Sequence, residues 1–173
     1  MPSRAMEPTI EKGAWIAADT VHYSNNKPRR YDVAVFWAPD VEREILDIAR
    51  AKVNDETSSI DDLLAAAADV LRSRNQTVRP HLLFVKRIVG LPGETIRLSE
   101  EGLEIDGARI EMPRDLRKIF GGFPSSDKVR YGKEQLPIAD NAVFVVSDNV
   151  ADGVDSRHIG QVPVGNLLGR VTM

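Results

Sequence analysis

The stretch His81-Leu82-Leu83-Phe84-Val85-Lys86-Arg87-Ile88-Val89-Gly90-Leu91-Pro92-Gly93-Glu94-Thr95-Ile96 decides how this chain is read. It opens on one apolar run, Leu82 to Val85, and resumes with another, Ile88-Val89, with two cations between them. In a strand, neighbouring side chains point to opposite faces, so either Lys86 or Arg87 must face what the apolar residues bury. An apolar setting disfavours the charged form of a lysine. A lysine that is neutral near pH 7 can serve as a general base. Gly90 to Gly93 has the composition of a tight turn. The plainer reading is a surface strand with two solvated cations, and on local pattern alone it is the better one.

Working outward, short strand-like segments flank this one. Pro2 and Pro8 make the first segment extended or turning rather than helical. Glu11-Lys12-Gly13 is a turn, and Ala14 to Ala18 reads as a strand with Trp15 and Ile16 on opposite faces. Asn25 to Arg30 is a polar loop; Tyr31 to Trp37 is a strong strand by its β-branched and aromatic content. On the other side, Glu94 to Leu98 reads as a strand. Leu103-Glu104-Ile105 and Ala108-Arg109-Ile110 flank Asp106-Gly107, a two-residue hairpin signal. Residues 112–137 read as a loop-rich excursion. Asn141 to Val146 is another strand, followed by the polar loop Ser147 to Gly160. Val162 to Val164 and Leu167 to Val171 complete the set. Many short strands predict a mainly β fold of antiparallel sheets.

Residues 40–75 differ. Val41, Ile45, Ile48 and Ala49 recur at helical spacing. Ser59-Ile60-Asp61-Asp62 places a hydroxyl three residues before an acid, a helix-start pattern. Ile60, Leu63, Leu64, Ala67 and Leu71 then line one face. The prediction is a helical hairpin inserted between two strands, packing its apolar face on the sheet or on a second copy of the chain. A lid is the lesser alternative.

Composition narrows the function. The chain has 173 residues, 42% hydrophobic and 28% charged, with net charge −3. That is long enough for a real core, ordinary for a soluble protein, and unlike a nucleic-acid binder. With no cysteine, disulfides, thiol catalysis and zinc–thiolate sites are excluded. His22, His81 and His158 are far apart and form no metal spacing, and no cofactor is expected. No apolar run reaches the roughly 18 residues of a membrane span.

Four stretches, in order, then carry a resemblance: PSRAMEPTI at the start, YDVAVF from Tyr31, FVKRIVGLPGETI from Phe84, and SDNVADGVDSRHIGQVPVGNLLGR from Ser147. Together they resemble type I signal peptidases, serine proteases with a Ser/Lys dyad that remove signal peptides at the outer face of membranes. The resemblance covers the chain except the helical insert and the 112–137 excursion. It implies one catalytic domain over 1–173, with a helical insertion at 40–75 and a smaller β and loop excursion at 99–140.

The resemblance also assigns roles. Ala5 stands where the family carries the nucleophilic serine, and a methyl group cannot attack a carbonyl. Lys86 matches the general base. Ser3 matches the side-chain donor of the oxyanion hole, with the Ala5 N–H as its backbone donor. Asp155 and Arg157 match a supporting ion pair, and Asp148 and Asn149 the start of the same loop. By motif position, Met6, Ile10, Ile16, Phe84 and Val85 are candidate walls of the substrate pockets; core packing is the alternative for each. Trp15 and Trp37 suit either the core or lipid headgroups, and Trp37, inside a strand, is assigned to the core. Three departures stand out. Gly153 replaces a serine expected to bond the lysine, Ser147 stands where glycine is usual, and Val150 where arginine is usual.

The resemblance implies signal peptides of exported preproteins as substrates, with small residues at positions −1 and −3. It implies a membrane surface reached through an N-terminal anchor preceding the first motif, and a catalytic domain on the outer, periplasmic or extracellular, face. On this view the chain is a soluble, trimmed form in which serine was changed to Ala5. A natural pseudoenzyme that binds exported peptides or pilin-like proteins is the alternative. Self-association through 40–75 is a further expectation. A self-cleaving repressor is disfavoured, because no helix-turn-helix precedes the motif and the chain is not basic.

Overall fold

The computed structural model describes residues 3–37, 66, 69–70, 73–74, 83–123, 129–151 and 153–172. Contacts divide the chain into two units, residues 1–36 with 85–173, and residues 37–84. Among the described residues, ten strands form two sheets. The larger has the order β1 (Ala17–Asp19), β10 (Leu167–Thr172), β2 (Val33–Trp37), β3 (Leu83–Gly90), β8 (Ala142–Val146), β9 (Val162–Pro163). The smaller has the order β6 (Ala108–Arg109), β5 (Gly102–Ile105), β4 (Thr95–Ser99), β7 (Leu136–Pro137). The pairings with a defined register are all antiparallel, as a mainly β sequence with short turns predicts.

The burial of each strand follows its sequence. Every residue of β2 and β8 is buried, and so is β3 from Val85 onward. Continuous apolar runs such as Ala142-Val143-Phe144-Val145-Val146 suit strands covered on both faces. In β4 and β5 alternation rules instead: Ile96 faces Ile105 and Leu98 faces Leu103, all four buried, while Thr95, Arg97 and Ser99 are partly exposed. These four join Val89, Phe120, Phe123, Ile138, Phe144 and Val146 in a core cluster. Burying each such side chain contributes about 1.5–3 kcal/mol.

The Asp106-Gly107 hairpin forms as expected, joining β5 to β6, with Ile105 opposite Ala108. Both turn residues have positive φ, 52° and 77°, which Asp tolerates and Gly adopts freely.

Four expectations need correction. The strand expected at Ala14 to Ala18 begins only at Ala17. Trp15 is 98% exposed, which removes the core alternative for it, whereas Trp37 is fully buried. Tyr31 is not part of β2; it holds φ at 74°, outside strand geometry. The loop expected at 112–137 contains α2 (Arg114–Phe120), which buries Phe120, and the loop at 147–160 contains α3 (Ser156–Ile159). A short helix, α1 (His22–Asn25), precedes the polar loop.

Residues 66, 69, 70 and 73 are helical, with Ala66 and Val70 buried and the Ser73 hydroxyl donating to the Val70 carbonyl. The rest of the expected helical hairpin, including its helix start at Ser59 and the segment 40–54, lies outside the described residues.

Candidate active site

Three segments meet around β3, and hydrogen bonds fix each to the next. The Asn149 N–H donates to the Ala5 carbonyl at 2.9 Å and its side-chain amide to the Arg4 carbonyl at 3.3 Å, tying the first motif to the loop after β8. Thr9, five residues beyond Arg4, donates its hydroxyl to the Asp148 carboxylate. Arg87 grips the same carboxylate with two parallel bonds, Nε to Oδ1 at 2.8 Å and Nη2 to Oδ2 at 2.6 Å. Its remaining donors reach the Tyr31 carbonyl at 2.8 Å and the Thr9 hydroxyl at 3.3 Å. Fork-to-fork pairing of this kind gives both strength and fixed geometry. Arg87 is a residue that sequence reasoning missed. The signal was there: in a strand buried on both faces, the second cation needs a carboxylate, and Asp148 is the acid that follows β8.

Asp155 organises the loop in the same way. It caps α3, its carboxylate accepting from the Arg157 N–H at 3.1 Å, while the Asp155 N–H donates to His158 Nδ1 at 3.4 Å. The Arg157 guanidinium donates to both carboxylate oxygens, at 2.9 and 2.8 Å. The Ser147 N–H adds another bond at 2.8 Å. The pair is buried, as is Asp148, so these are not solvated charges of a surface turn. An ion pair this deep is stable only when its remaining hydrogen-bonding capacity is used, as it is here.

Lys86 sits on the other face of β3 from Arg87. It is 4% exposed, and its Nζ donates to the Val85 carbonyl at 3.1 Å. Burial is the main cause that lowers the pKa of its ammonium from 10.5 to about 8. The Asp155 and Asp148 charges oppose that fall and the Arg157 charge reinforces it. The surface-strand reading, with both cations solvated, is therefore wrong for both: Arg87 is 5% exposed.

The first motif supplies donors. Ala5 is buried and its N–H donates weakly to the exposed Ser3 hydroxyl at 3.4 Å, so the two groups sit side by side. Of the expected pocket residues, Met6 is fully buried, and Ile10 and Val85 nearly so. Phe84 is half-buried on β3. Ile16 is half-buried just before β1, which β10 and β2 separate from β3.

A single family model, described as signal peptidase, peptidase S26, matches residues 1–173. The chain belongs to this family. A signal peptidase I of Leptolyngbya laminosa is 25% identical over 173 residues, covering all of this chain and 65% of that protein. Signal peptidase I V of Bacillus subtilis is 31% identical over 100 residues, covering 53% of this chain and 57% of that one. A crystal structure of a signal peptidase I from Enterococcus faecalis superposes with a TM-score of 0.48 at 19% identity, covering 85% of this chain and 98% of that one. The chain thus spans 65% of the first peptidase's length and 57% of the second's. Among the described residues no helix is long and apolar enough to cross a membrane, and no group of acids and histidines is placed to hold a metal.

Two of the departures, Gly153 and Ser147, are adjacent in space. A Cβ built on Gly153 would lie 1.9 Å from Ser147 Oγ.

Proposed function

We propose that the chain is the peptidase domain of a Ser/Lys-dyad signal peptidase, with position 5 as the nucleophile site and Lys86 as the general base. As it stands the chain is inactive, because Ala5 offers no hydroxyl. The observation that carries this reading is the buried Lys86 amine with its pKa near 8, on a strand that the Thr9–Asp148–Arg87 contacts bind to the first motif. At pH 7 about one amine in ten is then neutral and able to take a proton, against fewer than one in a thousand for an ordinary lysine.

In the Ala5→Ser form, neutral Lys86 removes the hydroxyl proton as the oxygen attacks the carbonyl after the small −1 residue. The Ser3 hydroxyl and the residue 5 N–H donate to the developing oxyanion. Protonated Lys86 returns its proton to the leaving amine as the C–N bond breaks. The neutral amine then deprotonates water, which hydrolyses the ester and frees the hydroxyl. Asp155 with Arg157, and Asp148 with Arg87, hold the loop and strand that position these groups. Substrates are signal peptides of exported preproteins, bound extended at a strand edge with alternate side chains in shallow pockets. Phe84 and Val85, beside Lys86 in the chain, are the pocket-wall candidates we retain. The working enzyme acts at a membrane surface on the outer face.

The test is cleavage of a preprotein in detergent by Ala5→Ser protein. Turnover should rise on the order of 10⁶-fold over the Ala5 chain. It should fall about 10²–10⁴-fold again on adding Lys86→Met. Cleavage that survives the loss of Lys86 would overturn the assignment. A second reading, a pseudoenzyme that binds exported peptides, draws on Ala5 and Gly153. It expects signal-peptide binding with no gain of activity in Ala5→Ser.

A further inference from the structure

Directly after β8 lies a buried hydroxyl that the proposed mechanism does not use. Ser147 is fully buried, and its Oγ has no hydrogen-bond partner in the structure. Buried polar groups are nearly always bonded, so an orphan hydroxyl marks a place where a partner arrives. Its own amide is fixed, donating to Asp155 at 2.8 Å.

The register says which partner. Arg87 opposes Val146 across the β3–β8 pair, and Ile88 opposes Val145. Continued one step past the paired residues, this register sets Lys86 against Ser147, which lies just beyond the end of β8. Directly opposed side chains share a face, with Cβ atoms about 4.5–5.5 Å apart. The long lysine chain covers that gap easily.

Gly153 supplies the second, steric observation. A Cβ at 153 would lie 1.9 Å from Ser147 Oγ and 2.2 Å from Ser147 Cβ, contacts that real atoms do not make. The Ser147 side chain therefore fills the space that a residue 153 side chain would take. That space has room for one of the two.

We propose that Ser147 is the positioning residue for Lys86. Its hydroxyl accepts a hydrogen bond when the amine swings from its present pose toward residue 5. A neutral amine has two N–H bonds and one lone pair. With one N–H on Ser147 Oγ and the other on the Val85 carbonyl, the lone pair has a single direction left. The inference rests on the reading of Lys86 as the base, and Ser147 itself touches no reacting atom.

The experiment has two arms. In the chain as it stands, the Lys86 ε-methylene resonances are followed by NMR through a pH titration, with and without Ser147→Ala. The expected result is a changed titration midpoint and altered ε-methylene shifts. In Ala5→Ser protein, Ser147→Ala should lower kcat on the order of 10-fold with KM unchanged. The melting temperature should hold or rise, because the hydroxyl removed has no partner to lose. Ser147→Gly combined with Gly153→Ser should recover most of the lost kcat, whereas Gly153→Ser alone should destabilise the protein through the clash. An active Ala5→Ser enzyme whose kcat and Lys86 titration both ignore Ser147→Ala would overturn the inference and leave the peptidase reading intact. An inactive Ala5→Ser protein would sink the peptidase reading, and the NMR arm would still decide the contact: unchanged resonances overturn it, altered ones support it.

Discussion

On β3, Lys86 and Arg87 are chain neighbours, 4% and 5% exposed, and face opposite sides of the same sheet. On the Arg87 side a carboxylate clamp meets the guanidinium, and Val146, its cross-strand partner, belongs to the core that packs against the smaller sheet. On the Lys86 side the amine leans on a backbone carbonyl, and burial outweighs the pull of Asp155 and Asp148. Equal burial thus gives opposite chemistry. A cation clamped by a carboxylate becomes a structural tie between three segments. An amine whose desolvation is only partly offset gives up its proton more readily, as the proposed base must. The comparison also assigns the two buried aspartates: both hold the frame around the amine, and neither lies close enough in effect to restore its ordinary pKa.

The sharpest way to break the comparison is to remove the clamp. Arg87→Met leaves Asp148 buried without its main partner, and unfolding measurements should show a loss of about 3–5 kcal/mol. If the loss were under 1 kcal/mol, Arg87 would be an ornament of the strand and the contrast would fail.

The opposite sign is expected on the other face. Holding the Lys86 pKa at about 8 in place of 10.5 is worth on the order of 3 kcal/mol against the folded state at neutral pH. The folded protein releases its proton more readily than the unfolded chain. The penalty is therefore complete below pH 8 and shrinks as pH rises from there toward 10.5. Lys86→Met should stabilise the protein at pH 7, with the gain fading across that window. Denaturant titrations at pH 7 and pH 10 check both the sign and the fade.

A smaller effect should come from Thr9→Val, which removes one hydroxyl from the Asp148–Arg87 cluster. It should cost about 1–3 kcal/mol of stability, since the hydroxyl serves charged groups. The effect should be largely lost in an Arg87→Met background, where the cluster is already broken.

Much of this was legible in the sequence, for physical reasons that can be named. The runs Val33 to Trp37 and Ala142 to Val146 announce strands covered on both faces, and Asp106-Gly107 announces its hairpin because few dipeptides tolerate two positive φ values. Two cations between two apolar runs signal that one of them faces a buried side, but only the sheet, covered on both faces, reveals that both Lys86 and Arg87 are buried. The missed helices have clear causes. α2 starts behind Pro113 in a stretch rich in turn residues, and α3 has only four residues, held by the Asp155 cap rather than by periodicity. Trp15 reads as a strand residue by type, yet the chain joins β10 only from Ala17, so the indole is left in solvent. Gly153 and Ser147 looked like two separate departures six residues apart. Only the fold shows that their side chains compete for one space.

The central claim is that the Lys86 amine is desolvated enough to act as a base near neutral pH. Its most direct test is the NMR titration of the Lys86 ε-methylene group in the intact chain, assigned through the loss of its signal in Lys86→Met. A midpoint near pH 8, well below the other lysines, is the predicted result. A midpoint near 10.5, together with the rest, would contradict the account.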